Sequence, residues 1–289
     1  MQFQPPSSEV TIDHQASSSV SFGKSDSQKG AAYPNNFSAQ SEPNALIRAE
    51  INGFKVQWKN DGTDYPALWQ AFVRGELSST PLSHGRPFRE AHLVKTGGRS
   101  YLFKRDWHVE KRLEKRLWFL LMGATRYSRI IELTNRAVRQ GCQVAQDVFL
   151  VAEKMVGRTC HEAWFIADFM PGQILSPENE DSWRDKLIQT ILRIHDCGLA
   201  CNDIQSYNFI ITQEGLIRGI DLDISSPLLI CQVNDLLEIK RRFGINPPLR
   251  NWRVRLLYYP LLIRNYLRYF SRKLRGKPDR YAKRRRPEP

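Results

Sequence analysis

Two short polar segments, separated by a predicted β-hairpin, constrain the fold of this 289-residue chain more than any other feature. The first segment contains Asp203 and, five residues later, Asn208, and the second contains Asp221. Residues 209–220 form two apolar runs around a Gly-containing turn, which predicts a hairpin. Such a hairpin returns Asp221 to the side of Asn208. Their carboxylate and amide oxygens suit Mg²⁺ held against nucleotide phosphates.

The D-x-x-x-x-N spacing of Asp203 and Asn208 is that of a phosphoryl-transfer loop, in which the Asp accepts the proton of the attacking hydroxyl. The spacing alone occurs by chance in many chains. Here a predicted helix, with apolar residues at three- and four-residue intervals from Trp183 to His195, precedes it, and Gly198 follows at the helix end. This order of elements favours catalysis over chance.

Residues 194–223 resemble the protein-kinase-like fold, and most closely the lipopolysaccharide core heptose kinases of Gram-negative bacteria. The likeness covers about residues 85–277 and includes three further segments, 147–154, 234–245 and 272–277. Protein kinases have His-Arg where this chain has Cys201-Asn202, and they have Gly of the D-F-G triplet where it has Asp223. Their A-P-E element is not recognisable here, which argues against an extended platform for a peptide substrate.

The resemblance implies an α+β fold of two lobes, a small antiparallel-sheet lobe and a mostly helical large lobe. It implies Asp203 as the catalytic base, and Asn208 and Asp221 as ligands of Mg²⁺ that bind ATP with it. It places Lys104 at the strand position whose lysine reaches the α- and β-phosphates. An ordinary solvated lysine at a strand end remains the alternative for Lys104.

Glu132 is the candidate partner of Lys104, because it is the only carboxylate of a helix predicted at residues 127–140. At 100° per residue, however, Glu132 lies nearly opposite the apolar stripe of that helix, so a solvent-facing glutamate remains open. Asp235 resembles a residue that supports the catalytic loop in the family, and a first-turn Asp favoured by the helix dipole explains it equally well.

Other local patterns predict the remaining elements of both lobes. The predicted elements are a Gly-Gly hairpin over 91–104, a basic amphipathic helix at 106–122, strands at 148–152 and 163–167, a lobe connector at 168–172, and a helix at 235–243. Pro260 is expected to break or kink an apolar and arginine-rich segment at 252–270. In kinase-like folds the backbone of the connector holds the adenine edge.

Composition divides the chain into four parts. Residues 1–48, rich in Ser, Gln, Asn and Pro, read as a disordered extension; 49–167 read as the N-terminal lobe, 168–249 as the C-terminal catalytic lobe, and 250–289 as a basic helical tail. The tail carries fourteen Lys and Arg against two acidic residues, so it holds nearly all of the net charge of +13. Such asymmetry predicts an acidic partner, either an anionic membrane surface or nucleic acid.

The cysteine content and the hydropathy pattern bear on the compartment. Five cysteines without a framework spacing suit reduced thiols. A zinc site built from His195, Cys197, Cys201 and either Cys160 or His161 is an alternative that the lack of a C-x-x-C pair disfavours. A signal peptide and an apolar run of membrane-spanning length are both absent from the sequence, so we expect a cytoplasmic protein.

These features lead to one principal hypothesis and two alternatives. The principal hypothesis is an ATP-dependent kinase that phosphorylates a heptose hydroxyl of the lipopolysaccharide inner core, peripheral on the cytoplasmic face of the inner membrane. Its expected partners are the core glycolipid and the anionic membrane surface, and nucleic acid is not expected. The alternatives are a small protein kinase and an inactive kinase-like module that binds nucleic acid through its tail.

Overall fold

The computed structural model describes residues 45–82, 88–107, 125–157, 159–249 and 251–276. Nearly all of the predicted N-terminal extension and of the predicted basic helix at 106–122 lie outside these ranges. The described chain has the predicted α+β architecture, with a sheet-based small lobe followed by a mainly helical large lobe. Within these ranges, no helix is both long enough and apolar enough to cross a membrane.

The small lobe is built on a seven-stranded antiparallel sheet with the order β1-β2-β6-β7-β5-β4-β3. Its strands are β1 (Leu46–Ile51), β2 (Phe54–Lys59), β3 (Ser79–Pro81), β4 (Arg89–Thr96), β5 (Arg99–Asp106), β6 (Val148–Val156) and β7 (Thr159–Asp168). The helices that the structure describes in this lobe are α1 (Tyr65–Val73) and α2 (Arg126–Arg139). The two helices cover opposite faces of the sheet, since Leu150 packs in the cluster that contains Tyr65 of α1, whereas Val151 packs with Ile131 of α2.

Two hairpin turns of the small lobe are formed by glycine and asparagine residues with positive φ. Gly97 and Gly98 both have positive φ, as the predicted hairpin of β4 and β5 requires. Asn52 and Gly53 also have positive φ between β1 and β2. This Asn-Gly pair is a strong hairpin signal that our sequence interpretation did not use. Before α1, Asp64 caps the helix by accepting a 3.0 Å hydrogen bond from the Ala67 amide.

The large lobe contains a three-stranded sheet, with the order β10-β9-β8, and three helices. Its elements are β8 (Gln173–Ile174), α3 (Glu180–Asp196), β9 (Phe209–Ile211), β10 (Ile217–Gly219), α4 (Leu228–Phe243) and α5 (Trp252–Leu274). Leu187, Ile191 and Ile194 of α3 are fully buried in its core with Phe209. Gly172 lies so close to β9 that a Cβ atom there would stand 2.4 Å from the Ile211 carbonyl oxygen.

Two of the predicted helices differ from the observed ones. Helix α4 begins at Leu228, well before the predicted start at residue 235, so Asp235 lies in the helix interior and not in its first turn. Helix α5 continues through Pro260, which therefore does not break it. The loss of one backbone hydrogen bond at Pro260 is offset because Val254 and Tyr258 are buried against the core on the same helix.

Hydrogen bonds join the two lobes beside the β9–β10 hairpin. The Gly219 amide in β10 donates a 2.8 Å hydrogen bond to the Val144 carbonyl, and the Gln146 amide donates a 2.9 Å bond to the Gly219 carbonyl. Gln146 also donates from Nε2 to the carbonyl of Asp168, at the end of β7, over 2.7 Å. These bonds join the segment before β6 to the hairpin of the large lobe. They therefore connect the two lobes at one end of the cleft between them.

Candidate active site

A buried carboxylate, that of Asp235, accepts hydrogen bonds from the backbone at the start of the loop that carries Asp203. Asp235 of α4 accepts hydrogen bonds from the amides of Cys201, at 2.8 Å, and Asn202, at 2.7 Å. Its Oδ2 also lies 2.9 Å from His195 Nε2 at the end of α3. Only 1% of Asp235 is exposed. Buried hydrogen bonds to a charged acceptor are strong, so Asp235 holds the start of this loop against α3 and α4.

Asn202 has a positive φ of 55°, a conformation that few residues other than Gly adopt readily. Its side-chain amide donates to Asp223 Oδ2 and to Ser225 Oγ, each over 3.3 Å. These bonds stabilise the left-handed turn and tie it to the segment after Asp221. The Asn and the Asp that depart from the protein-kinase pattern therefore contact each other.

Asp203 itself is exposed on the loop and faces the cleft between the lobes. Gln205 Nε2 donates to both of its carboxylate oxygens, each over 2.8 Å. Asn208 Nδ2 donates a 2.9 Å bond to the Asp203 backbone carbonyl. Because its nitrogen makes this bond, the side-chain oxygen of Asn208 is the atom that can coordinate a cation. The carboxylate of Asp203 is thus oriented by the loop that contains it.

The predicted hairpin brings Asp221 beside Asn208. Strands β9 and β10 pair in antiparallel register, with Gly219 opposite Phe209. The Ile220 amide then donates a 2.8 Å bond to the Asn208 carbonyl, which places the next residue, Asp221, at the same end of the hairpin. Asp221 has a positive φ of 58°. Asp adopts this left-handed conformation more readily than most residues other than Gly, and residues held in it cluster at active sites and ligand clamps.

Lys104 reaches Asp221 from the small lobe. Its Nζ lies 3.5 Å from Asp221 Oδ1 across the cleft. The ammonium of Lys104 lowers the pKa of Asp221 below its ordinary value, and the charges of Arg89 and Arg126 act in the same direction. Asp221 is therefore ionised at neutral pH, as a carboxylate that holds a metal ion must be. The structure brings together the lysine and the three polar residues that the sequence indicated.

The predicted pairing of Glu132 with Lys104 is wrong in this structure. Glu132 Oε1 instead accepts a 2.6 Å bond from Arg48 of β1, at an exposed position. The reason is the direction in which each residue of α2 points. Ile131 and Thr134 are buried, and Ile130 and Thr134 line the cleft, but Glu132 lies on neither of these two faces. Its position agrees with the alternative interpretation from the sequence, in which Glu132 faces solvent.

Among the residues that line the cleft, sequence reasoning missed Arg89 and Arg126, two arginines whose charges act on Asp221. Arg126, the first residue of α2, donates from Nη2 to Asp106 Oδ2 and to the Tyr127 hydroxyl, both over 2.6 Å. Arg89, at the start of β4, has its Nε 3.4 Å from the same oxygen of Asp106. Lys104, Arg89 and Arg126 thus surround the approach to Asp221 with three cations. Arg89 and Arg126 are 37 positions apart in sequence with Lys104 between them, and the sheet and α2 bring the three together.

The cleft encloses a cavity of about 320 Å³. Its polar end contains Asp203, Asn208, Asp221 and Asp223 from the large lobe, facing the three cations. Its other walls are mainly apolar. They contain Ala91, Tyr127, Ile130, Val148, Phe165, Ala167 and Leu222, together with the polar residues Glu90, Arg105, Asp106, Thr134 and Gln146. An apolar slot with charged groups at one end suits a ligand that has a flat ring and an anionic tail.

The donor set fits a magnesium ion shared with phosphates. Asn208 and Asp221 supply amide and carboxylate oxygens, and Mg²⁺ is commonly held by one or two carboxylates plus substrate phosphates. In the part of the chain that the structure describes, no three His, Cys, Asp or Glu side chains are grouped as a metal site. The zinc alternative therefore has no support, because His195 is bonded to Asp235 and Cys201 is buried beside them.

The fold and this arrangement define a protein of the protein-kinase-like class. The profile of the family described as lipopolysaccharide core biosynthesis protein (WaaY) matches residues 45–277. A lipopolysaccharide core heptose(II) kinase WaaY of Escherichia coli K12 is 32% identical over 172 residues, which cover 59% of this chain and 72% of that protein. A protein of the same name from Escherichia coli is 22% identical over 234 residues, 80% of this chain and 99% of the relative. The chain therefore belongs to this family of lipopolysaccharide core biosynthesis proteins, and the resemblance found in its sequence is confirmed.

Proposed function

We propose that this protein is an ATP-dependent kinase that phosphorylates a heptose hydroxyl of the lipopolysaccharide inner core at the cytoplasmic face of the inner membrane. One observation carries the proposal: Asp203, Asn208, Asp221 and Lys104, from both lobes, line a single cavity. Its relatives, which are named as heptose kinases, supply the acceptor class.

The nucleotide would enter with its ring between the apolar walls of the cavity. Ala91 of β4 and Leu222 of the large lobe lie on these walls, and the connector that follows β7 offers backbone groups for the adenine edge. The phosphates would then extend toward Lys104, Arg89 and Arg126. Three positive charges in a partly desolvated cleft neutralise much of the triphosphate charge, which is the largest electrostatic requirement of phosphoryl transfer.

Asn208 and Asp221 would hold Mg²⁺ against the phosphates. When bound, the ion neutralises charge that develops on the phosphate oxygens and keeps them in line with the acceptor. Asp221 can serve because its lowered pKa keeps it ionised. Lys104, which pairs with Asp221 in this structure, would exchange that contact for a phosphate as nucleotide and metal enter.

Asp203 would act on the acceptor. It accepts the proton of a heptose hydroxyl while that oxygen bonds to the γ-phosphorus and the bond from this phosphorus to the bridging oxygen of ADP breaks. Gln205 keeps both carboxylate oxygens of Asp203 directed, and Asp235 fixes the loop beneath. Most of the rate enhancement then comes from positioning and from charge neutralisation.

A comparison of core structures tests this proposal in cells. Mass spectrometry of the core oligosaccharide, from cells with and without the protein, should show the loss of one phosphate on a heptose in its absence. A plasmid that encodes the wild-type protein should restore that phosphate, and one that encodes Asp203→Ala should not. An identical phosphate pattern in all strains would overturn the proposed acceptor, and the protein-kinase alternative would then be tested with labelled ATP and protein acceptors.

A further inference from the structure

Helix α5 has two apolar faces, and among the described residues one of them packs against the large lobe while the other is exposed. Val254 and Tyr258 are 8% and 4% exposed and belong to the core of the large lobe. Leu257, Leu261 and Leu262 pack against the same core and are partly buried. This face accounts for the attachment of the first half of the helix to the body of the enzyme.

The other apolar face is exposed along the whole length of α5. Its members are between 52% and 72% exposed and are Trp252, Leu256, Tyr259, Ile263, Tyr266, Leu267, Phe270 and Leu274. Their spacing of three and four residues places all of them in a sector of roughly 100° at 3.6 residues per turn. We call these eight residues the outer stripe. On the helix it lies opposite Val254 and Tyr258, so it points away from the protein.

The charges of α5 are all of one sign. The helix contains no Asp or Glu, and its six basic residues are Arg253, Arg255, Arg264, Arg268, Arg272 and Lys273. By their positions along the helix, Arg253 and Arg264 flank the outer stripe on one side, and Arg255 and Lys273 flank it on the other. A continuous apolar stripe with cations along both borders is the pattern of a helix that lies in the headgroup region of an anionic membrane.

The charges beside the outer stripe favour a lipid surface over a second copy of the chain as its binding partner. Stripes with three- and four-residue spacing also pair in coiled coils, but their flanking positions then carry complementary charges. Two copies of α5 would bring only like charges together, which disfavours pairing. An anionic lipid surface instead complements the four cations that flank the stripe, and each engaged cation adds to the attraction.

We propose that the outer stripe of α5 is the surface by which the enzyme docks on anionic phospholipid. The sequence placed membrane attraction in the basic tail as a whole, whereas the structure assigns it to one face of one helix. With Val254 and Tyr258 on the enzyme and the stripe in the membrane, α5 lies parallel to the bilayer plane beneath the large lobe. The choice of membrane rests on the proposed function, because a lipid-linked acceptor is confined to that surface.

The test is a vesicle-binding experiment that needs neither ATP nor acceptor, so it is independent of the kinase assignment. The full chain is mixed with vesicles of phosphatidylethanolamine and phosphatidylglycerol, and bound protein is measured by sedimentation. The stripe variant Leu256→Gln, Ile263→Gln, Phe270→Gln should bind at least tenfold more weakly. A matched control, Val73→Gln, Val156→Gln, Leu216→Gln, removes three equally exposed apolar side chains elsewhere and should bind like wild type.

Other readouts of the same variants decide between outcomes. If the stripe faces lipid, its substitution leaves the melting temperature and the turnover on delipidated core saccharide unchanged. Unchanged vesicle binding would overturn the proposal. A fall in melting temperature would show that another part of the chain covers the stripe, and the loss of a dimer in sedimentation velocity would show that a second copy does. Either result would also overturn it.

A second measurement does not depend on the triple variant. Vesicles with brominated acyl chains quench tryptophan fluorescence at the depth of the bromine atoms. Wild-type protein should be quenched on these vesicles, and Trp252→Phe should lose most of the quenched component. Equal quenching of both proteins would show that the stripe does not enter the bilayer.

Discussion

Lys104 of the small lobe and Asp221 of the large lobe form an ion pair across the cleft, with 3.5 Å between Nζ and Oδ1. The two residues are 117 positions apart in sequence. Their contact joins the sheet to the catalytic hairpin at the point where triphosphate and metal would bind. It also sets the ionisation of Asp221, since the lysine is the largest cause of its lowered pKa.

Replacement of Lys104 by methionine should lower kcat/KM for ATP by roughly 100-fold, the size of effect seen when one preorganised electrostatic group is lost. The expected cause is weaker binding of the phosphates in the transition state. Steady-state kinetics with a fixed acceptor concentration measure the change. Lys95→Met, an exposed position on β4, is the matched control and should behave like wild type. Equal activity of the two variants would assign Lys104 to the surface role that its strand-end position alone allows.

Glu132→Gln should leave turnover within about twofold of wild type, because the Arg48 pair that it breaks is exposed and away from the cleft. An exposed pair of this kind contributes about 0–1 kcal/mol to the free energy of unfolding. Kinetics and urea unfolding on the same preparation give both values. A loss of activity comparable to that of Lys104→Met would mean that Glu132 moves to Lys104 in the active enzyme.

Arg126→Gln should raise the KM for ATP by about tenfold, since one of three cations that face the triphosphate is lost, and a tenfold change corresponds to about 1.4 kcal/mol. Asp106 keeps Arg89 as a neighbour, so the fold should be retained. Arg136→Gln, on an exposed position of the same helix, is the control. If Arg126 were only structural, the melting temperature would fall while the KM for ATP stayed unchanged.

The buried Glu153 should make the free energy of unfolding depend on pH. It is buried on β6 and accepts a hydrogen bond from the Thr125 hydroxyl, and burial raises its pKa to about 7. The unfolded chain releases this proton at its ordinary pKa near 4.5, so stability falls as pH rises from 4.5 to 7 and stays reduced above 7. The cost at high pH is on the order of 3 kcal/mol.

Glu153→Gln removes that ionisation. Relative to wild type, the variant should gain stability between pH 5 and pH 8, as measured by urea unfolding at both values. Asp185→Asn, at a side chain that is 82% exposed, is the control and should show no such change. A difference between Glu153→Gln and wild type that is the same at both pH values would contradict the raised pKa.

The arrangement of the three polar residues of the large lobe could be predicted from sequence because its geometry is local. Asp203, Asn208 and Asp221 lie within nineteen residues, and a loop and a two-stranded hairpin fix their relation. Arg89 and Arg126 could not be found in this way. Each is an ordinary arginine in its own segment, and only the pairing of β4 with β5 and the packing of α2 on the sheet bring them to Lys104.

The errors in the helices have physical causes too. The start of α4 was missed because residues 228–234 lack a clear helical period and are rich in branched apolar residues, which also suit a strand. Glu132 was matched to Lys104 because of its charge, although its angular position on the helix pointed away from the apolar stripe. That angular position determines its partner, which is Arg48. At Pro260 the sequence predicted a break or a kink, and the helix is not broken there. The burial of neighbouring side chains outweighed a local preference that costs about 3 kcal/mol.

The most direct test of the central claim is phosphate transfer by purified protein. Wild type and Asp203→Asn are incubated with γ-labelled ATP, Mg²⁺ and core glycolipid that lacks the heptose phosphate, and the product is identified by mass spectrometry. Wild type should add one phosphate to a heptose. Asp203→Asn should bind ATP with nearly the same affinity but transfer at least about 100-fold more slowly, because the general base is lost. Transfer by the variant at the wild-type rate, or no transfer by wild type to a heptose, would contradict the account.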